Sequence, residues 1–164
     1  MSVKFQVKMS RKALFDFLLN HTYRSFGGWI SVIIGIVVLI AAIVTFGDVS
    51  ASTSAVYFFF AAYFLPLQPA LLYFRAAKQM KLNPVYKEPL YYVLDDEGIT
   101  SRQKKEKSQI GWDQIVKVTE TRCSLLLYTG KRYSFILPKE DIGNQLPKVK
   151  ELIKKHLKAE QVKI

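Results

Sequence analysis

Residues 25 to 74 are 50 consecutive positions that contain a single charge, Asp48. The other 114 residues carry 36 of the chain's 37 charged side chains, as polar a mixture as a soluble surface reaches. A chain divided this way is neither a purely soluble globule nor a disordered polymer. Its one cysteine, Cys123, cannot staple a secreted domain. The class left is a small membrane protein with a basic, water-facing part.

Two apolar blocks fill the uncharged stretch. Ser25 to Gly47 is densest from Trp29 to Phe46, with six Ile, four Val, Leu39 and Phe46. As a helix it crosses a hydrocarbon core of roughly 30 Å, and its side chains favour insertion by about 4–7 kcal/mol. Val49 to Phe74 is densest from Ala55 to Phe74 and is the weaker span, because it holds Gln68, Pro66 and Pro69. The connector Gly47 to Ser54 is short and polar, which makes the two helices antiparallel neighbours. Residues 25–75 are therefore read as a membrane α-helical hairpin of two transmembrane helices, at about 27–46 and 55–74. Residues 1 to 24 hold five cations against Asp16, and Arg75, Lys78 and Lys81 follow the second span. The positive-inside rule then predicts a two-pass protein of the cytoplasmic membrane with both termini in the cytoplasm. A secretory signal is disfavoured, since 24 patterned residues precede the first apolar block.

Within the hairpin, Gly27, Ser31 and Gly35 recur every fourth residue, a spacing that lets another helix approach closely. A seam for the second span of the same hairpin is preferred over a homodimer seam. Gln68 lies near the level of Ser31, and a kink with one interhelical hydrogen bond is preferred over a transport site. Neither apolar block carries a charge, and two helices cannot enclose a pore.

The water-facing parts are residues 1–24 and 76–164. Val3, Phe5, Val7 and Met9 alternate as a strand, expected to join the sheet that follows the hairpin. Ser10 caps the amphipathic helix after it. Tyr91–Leu94 and Ile99–Arg102 flank Asp95-Asp96-Glu97-Gly98, a hairpin turn whose acids lack the spacing of a calcium loop. RQKKEK, residues 102–107, reads as the tip of a second hairpin leading into Ser108–Trp112. Val116–Thr121 is a strand with Val116, Val118 and Glu120 on one face. Gly130-Lys131 is a tight turn, predicting Tyr128 opposite Tyr133 and Leu126 opposite Phe135. Cys123 reads as a buried core thiol, and His21 and His156 as ordinary helix-surface histidines. Leu146, Val149, Leu152, Ile153 and Leu157 stripe a closing helix with Pro147 in its first turn. The expectation is a small cytoplasmic α+β domain: a curved antiparallel sheet or half-barrel closed by a C-terminal helix.

Residues 75–164 hold 19 Lys+Arg and 11 Asp+Glu, a net charge of +8 beside the membrane. The first functional reading is a tethered, non-enzymatic interaction module that meets anionic headgroups through Arg102, Lys104, Lys105 and Lys107. A solvated turn is an equal reading of that loop. The alternative function is an accessory subunit of a larger transport, signalling or envelope complex, bound to protein partners through hairpin and domain. There is no catalytic set, phosphate loop or metal cluster, so no enzyme activity, metal or cofactor is expected. Nucleic acid is not an expected partner, because eight of the 22 aromatics lie in the second span and cannot stack on bases.

The segments DFLLNHTYRSFGG, DDEGI, IGWDQIVKVTET, LLLYT and SFILPKEDI, in this order around a membrane hairpin, resemble the YcxB-like family of bacterial membrane proteins. Its most specific parts here are Trp112 with Ile115, Val118 and Glu120, and the closing Leu137-Pro138-Lys139. Ile142 stands where an aromatic is expected. The resemblance implies a bacterial cytoplasmic-membrane location and a C-terminal domain like a pleckstrin-homology fold, with no activity and no catalytic residues to carry over. Read from the residues alone, Trp112 and Ile115 are core anchors, Pro138 ends the last strand, and Lys139 leads toward the helix.

Overall fold

The computed structural model describes residues 2–130 and 133–164. It divides into two compact units, residues 18–78 and residues 1–17 with 79–164.

The first unit is the apolar hairpin. Helix α1 (Arg11–Tyr23) runs into it, and α2 (Phe26–Val44) begins at Ser25, whose hydroxyl accepts from the Gly28 N–H. The return helix starts at Ala51, four residues earlier than the composition suggests, because Ser50 caps it by accepting from Thr53 N–H. It continues as α3 (Ala51–Ala62), a π-turn (Tyr63–Leu67) and α4 (Gln68–Leu82). Pro66 sits inside the π-turn. Proline has no N–H to give and its ring collides with a carbonyl four residues back, so the wider turn lets the helix pass. Both helices are long and apolar enough to cross a membrane.

The helix seam differs from the expected small-residue stripe. Gly35 is buried, and a Cβ there would stand 2.9 Å from Phe64 Cβ and 3.0 Å from Leu65. Gly27, by contrast, is exposed and faces open space. Gly28 is buried against Thr22 and Tyr23 of the preceding turn, while the other buried positions, Gly35 and Ala42 of α2 and Ser54 and Ala61 of α3, lie at seven-residue spacing. That is the period of antiparallel helices wound gently together, rather than a four-residue stripe. The hydrogen bond expected between Gln68 and Ser31 is absent. Ser31 Oγ donates instead to Gly27 O at 2.9 Å, and Gln68 Oε1 is buried without a partner. A helical serine has its own i−4 carbonyl in reach, and the π-turn re-aims every side chain after it.

The second unit is built from two four-stranded sheets rather than one curved sheet. One has the order β1-β2-β3-β4 and the other β7-β6-β5-β8. β1 (Val3–Val7) pairs antiparallel with β2 (Leu90–Leu94), so the strand before the hairpin completes the sheet after it. β3 (Gly98–Gln103) and β4 (Glu106–Gly111) follow as consecutive antiparallel neighbours. A 3-10 turn, Trp112–Gln114, then breaks the chain between the sheets, and that break is why the sheet splits. β5 (Lys117–Glu120), β6 (Ser124–Tyr128) and β7 (Ser134–Pro138) form the second meander. β8 (Val162–Lys163) adds parallel to β5, after α5 (Lys139–Ile142) and α6 (Leu146–His156).

One apolar core joins both sheets to α6. It contains Val3, Val7, Leu94 and Ile99 from the first sheet, Val118, Leu125 and Leu137 from the second, and Val149, Leu152 and Ile153 from the helix. This core sets the register of β6 on β7. Tyr128 faces Ser134 and Leu126 faces Ile136, one residue away from the pairing expected of a Gly130-Lys131 turn. A one-residue slip turns every side chain over, and only the observed register places Leu125, Leu127, Phe135 and Leu137 together on the core side. The turn itself includes Lys131, outside the described residues. Val116 also departs from expectation. It precedes β5 and is exposed, while Val118 is fully buried.

Candidate functional site: a basic sheet face

Strand alternation in the first sheet sends one set of side chains to the core and the other to its outer face. In β1, Val3, Phe5 and Val7 turn inward and Lys4 and Gln6 outward. The strand pairing then aligns outer residues in two cross-strand rows. One row is Gln6, Tyr91, Arg102 and Lys107, and the other is Lys4, Val93, Thr100 and Gln109. Together they shape a groove of about 660 Å³ whose lining includes Lys4, Tyr91, Val93, Arg102, Lys104 and Lys107. Asp95 and Thr100 complete it.

Of the four cations singled out in the sequence, three therefore converge. Lys105 does not line the groove. β3 and β4 are joined by a two-residue turn, Lys104-Lys105, between paired Gln103 and Glu106, with Lys104 at φ 52°. Gln103 Nε2 fixes this end of the sheet by donating to the carbonyls of Val85 (2.8 Å) and Glu88 (3.0 Å). Lys104 Nζ lies 3.3 Å from Glu88 Oε1, an exposed pair worth little to stability. Two residues that the loop reading missed join the cations: Lys4, from the far end of the sequence, and Tyr91, which is exposed. The signal for Lys4 was the β1 alternation, which already marked it as outward.

The electrostatics of this face are unbalanced. Arg102 and Lys107 stand directly opposite each other across β3 and β4, a like-charge pair that costs stability. Among the described residues, Lys4, Arg102 and Lys107 have no acidic partner within 4.0 Å. Asp95, the acid in the groove, has Oδ1 occupied by the N–H groups of Glu97 (3.0 Å) and Gly98 (3.1 Å). A concave face with unpaired cations and an exposed tyrosine has the chemistry to receive an anion.

The residues of the family pattern lie elsewhere and hold the fold. Trp112 is buried, its Nε1–H donates to Asp95 O at 2.9 Å, and Ile115 is buried beside it in the core. His156 is not an ordinary surface histidine. Its ring stacks on Trp112 with centroids 5.2 Å apart, and Nε2 lies 2.9 Å from Asp96 Oδ1. Lys155 Nζ meets the same oxygen at 2.6 Å, so α6 is clamped to the β2–β3 turn. Hydrogen bonding, that from Lys155 foremost and that from His156 among the rest, holds the Asp96 carboxyl far below the usual carboxylate range. Glu120 forms a second clamp, with Lys139 Nζ 2.7 Å from Oε1 and Lys150 Nζ 2.7 Å from Oε2. Lys139 also donates to Thr121 O at 2.7 Å, and Pro138 pairs with Ser124 as the last residue of β7.

Cys123 is also displaced from its expected place. It is half-buried rather than in the core and lines a small cavity with Lys12, Arg122, Lys139 and Glu140. Its N–H donates to Asp16 Oδ2 at 3.3 Å, because Cys123 sits in the bend before β6 rather than within the strand. Among the described residues, no group of three or more His, Cys, Asp or Glu is arranged to hold a metal ion.

These clamps give stability a definite pH dependence. Glu120 is held below its ordinary pKa of 4.5, first by the hydrogen bond from Lys139 and then by that from Lys150. Its contribution is therefore present above pH 4.5 and lost as pH falls toward the lower folded-state value. Asp141 works the other way, since burial raises its carboxyl pKa and protonation there favours the fold. Chemical unfolding of the full chain in detergent is expected to need less denaturant below pH 4.5, with a shallower fall for Glu120→Gln. On the alkaline side, burial pushes the Tyr92 hydroxyl up to about 12 from 10.0, so its contribution is lost as pH rises through that interval.

No curated protein and no solved structure matches the chain. One protein-family model does, that of the YcxB-like proteins, over residues 94–153, from the end of β2 to Ile153 of α6. The matched segment includes Trp112, the Glu120 clamp and the Arg102–Lys107 pair, while Lys155, His156, β1 and the apolar hairpin lie outside it. Residues 94–153 are therefore similar to the YcxB-like proteins.

Proposed function

We propose that this protein is a non-enzymatic interaction module tethered to the cytoplasmic membrane, with its basic β-rich domain meeting the anionic inner leaflet. The hairpin is the anchor: Ile33, Val37, Ile40, Phe59 and Phe74 are apolar and exposed, as lipid-facing side chains are. The excess of Lys and Arg on both sides of the hairpin supports a topology with both termini in the cytoplasm. Two sheets sharing a core with a following helix agree with the pleckstrin-homology-like domain that the family resemblance implies.

The observation that carries the reading is the outer face of the first sheet, where Lys4, Arg102 and Lys107 lack acidic partners among the described residues. Each cation near an anionic leaflet contributes about 1 kcal/mol, so these three supply roughly 3 kcal/mol. That orients a domain already held by its anchor. The charge is screened strongly at about 1 M salt, where the Debye length is near 3 Å.

The test places an environment-sensitive fluorophore on this face, through Gln109→Cys in a Cys123→Ser background. The full chain is then reconstituted in nanodiscs of phosphatidylcholine with or without phosphatidylglycerol. A blue shift is expected on the anionic discs at low salt. It should vanish at high salt and in the variant combining Lys4→Gln, Arg102→Gln and Lys107→Gln. Equal emission on both kinds of disc contradicts the proposal.

A further inference from the structure

We infer that the Arg102–Lys107 pair is a binding site for a phosphate group, and specifically for the phosphomonoester of a glycerolipid headgroup. The inference rests on the reading of this sheet face as the anion-contacting surface, and it adds a defined ligand chemistry to it. Directly opposed residues on antiparallel strands hold their Cβ atoms about 5 Å apart, so the two cationic groups can converge on one anion. An anion between them would turn a repulsive pair into two attractive ones.

The chemistry of the two residues selects phosphate. Arg102 offers a planar fork of donors that matches two phosphate oxygens, and Lys107 adds a point charge. A phosphomonoester, with up to two negative charges, balances both, whereas a phosphodiester balances only one. Thr100, two residues before Arg102 on β3, places a hydroxyl beside the pair. The groove of about 660 Å³ is larger than a phosphate ion, which leaves room for the attached alcohol. Tyr91 and Val93 supply an apolar wall for the glycerol and the first acyl carbons.

The full chain in a non-ionic detergent would be titrated with dihexanoyl phosphatidic acid, dihexanoyl phosphatidylglycerol, glycerol 3-phosphate and inorganic phosphate. Thermal midpoint and tryptophan emission would be followed. The phosphatidic acid is expected to raise the midpoint most, glycerol 3-phosphate less, and the diester and inorganic phosphate least. Lys107→Glu separates binding from folding. It converts the repulsive pair into an ion pair, so the unliganded variant should melt no lower than the parent, while its affinity for the phosphatidic acid falls about ten- to hundredfold.

Unchanged affinity in Lys107→Glu overturns the site. Inorganic phosphate binding as tightly as the phosphatidic acid overturns the lipid as its source. If no phosphate compound binds while the Gln109 fluorophore still shifts on anionic discs, the specific site is wrong and the leaflet reading stands. If both fail, both are wrong.

Discussion

Replacing Trp112 by alanine is expected to destabilise the β-rich unit by about 3–5 kcal/mol, the range for emptying a large buried aromatic site. Three interactions end together. The indole leaves the core shared by both sheets and α6, its donation to Asp95 O at 2.9 Å is lost, and His156 loses the ring on which it stacks. Trp112→Phe divides the effect. It retains a ring against His156 but leaves the Asp95 carbonyl without that donor, which costs about 1–3 kcal/mol. Denaturant unfolding of the full chain in detergent, followed by near-ultraviolet circular dichroism, measures both. A loss in Trp112→Ala no larger than in Trp112→Phe would show that the tryptophan ring is not the anchor described here.

Gly98→Ala is expected to cost about 3 kcal/mol or more at the same corner. Two effects add. The φ of 150° lies where L side chains rarely go, a strain on the order of 1–3 kcal/mol. A methyl group would also collide with the Ile110 carbonyl oxygen on the paired strand, which is backbone and cannot swing away. Gly143→Ala is the control. Its φ is 55° with ψ −133°, a region left to glycine, but nothing lies within 4 Å of the position a Cβ would take, so only the backbone strain, on the order of 1–3 kcal/mol, remains. The same unfolding measurement should rank the two variants in that order. Equal losses would mean that the close approach of Ile110 is not what demands glycine at position 98.

The hairpin and the inward faces of the strands were legible because they are local patterns. Fifty residues with one charge have few ways to fold, Val3-Phe5-Val7 alternates visibly, and Leu152-Ile153 with Val149 marks a helix face without any partner being known. What the sequence hid was which elements become neighbours. β8 is two residues long and pairs with β5 more than 40 positions earlier, so no local period announces it. The β6–β7 register slipped by one because the core, rather than the turn residues, decides it. His156 reads as a surface residue until the fold lays it against Trp112.

The candidate site follows the same division. Arg102, Lys104, Lys105 and Lys107 stand out as a charge cluster, yet strand geometry keeps three on one groove and leaves Lys105 off it. Lys4 enters only through pairing between β1 and β2, across a separation of almost 90 residues. In the hairpin, Gly27 and Ser31 share a stripe in the sequence, but the helices meet through Gly35 and Ala42, with the π-turn around Pro66 setting the later faces.

The most direct test of the central claim is photo-crosslinking from position 91 in native membranes. A benzophenone amino acid would replace Tyr91 in the full chain, and the adducts would be identified by mass. The account expects phospholipid adducts that fall sharply when Arg102→Gln and Lys107→Gln are added. A single protein adduct that persists in that variant, with no lipid attached, would contradict the account and assign this face to a protein partner.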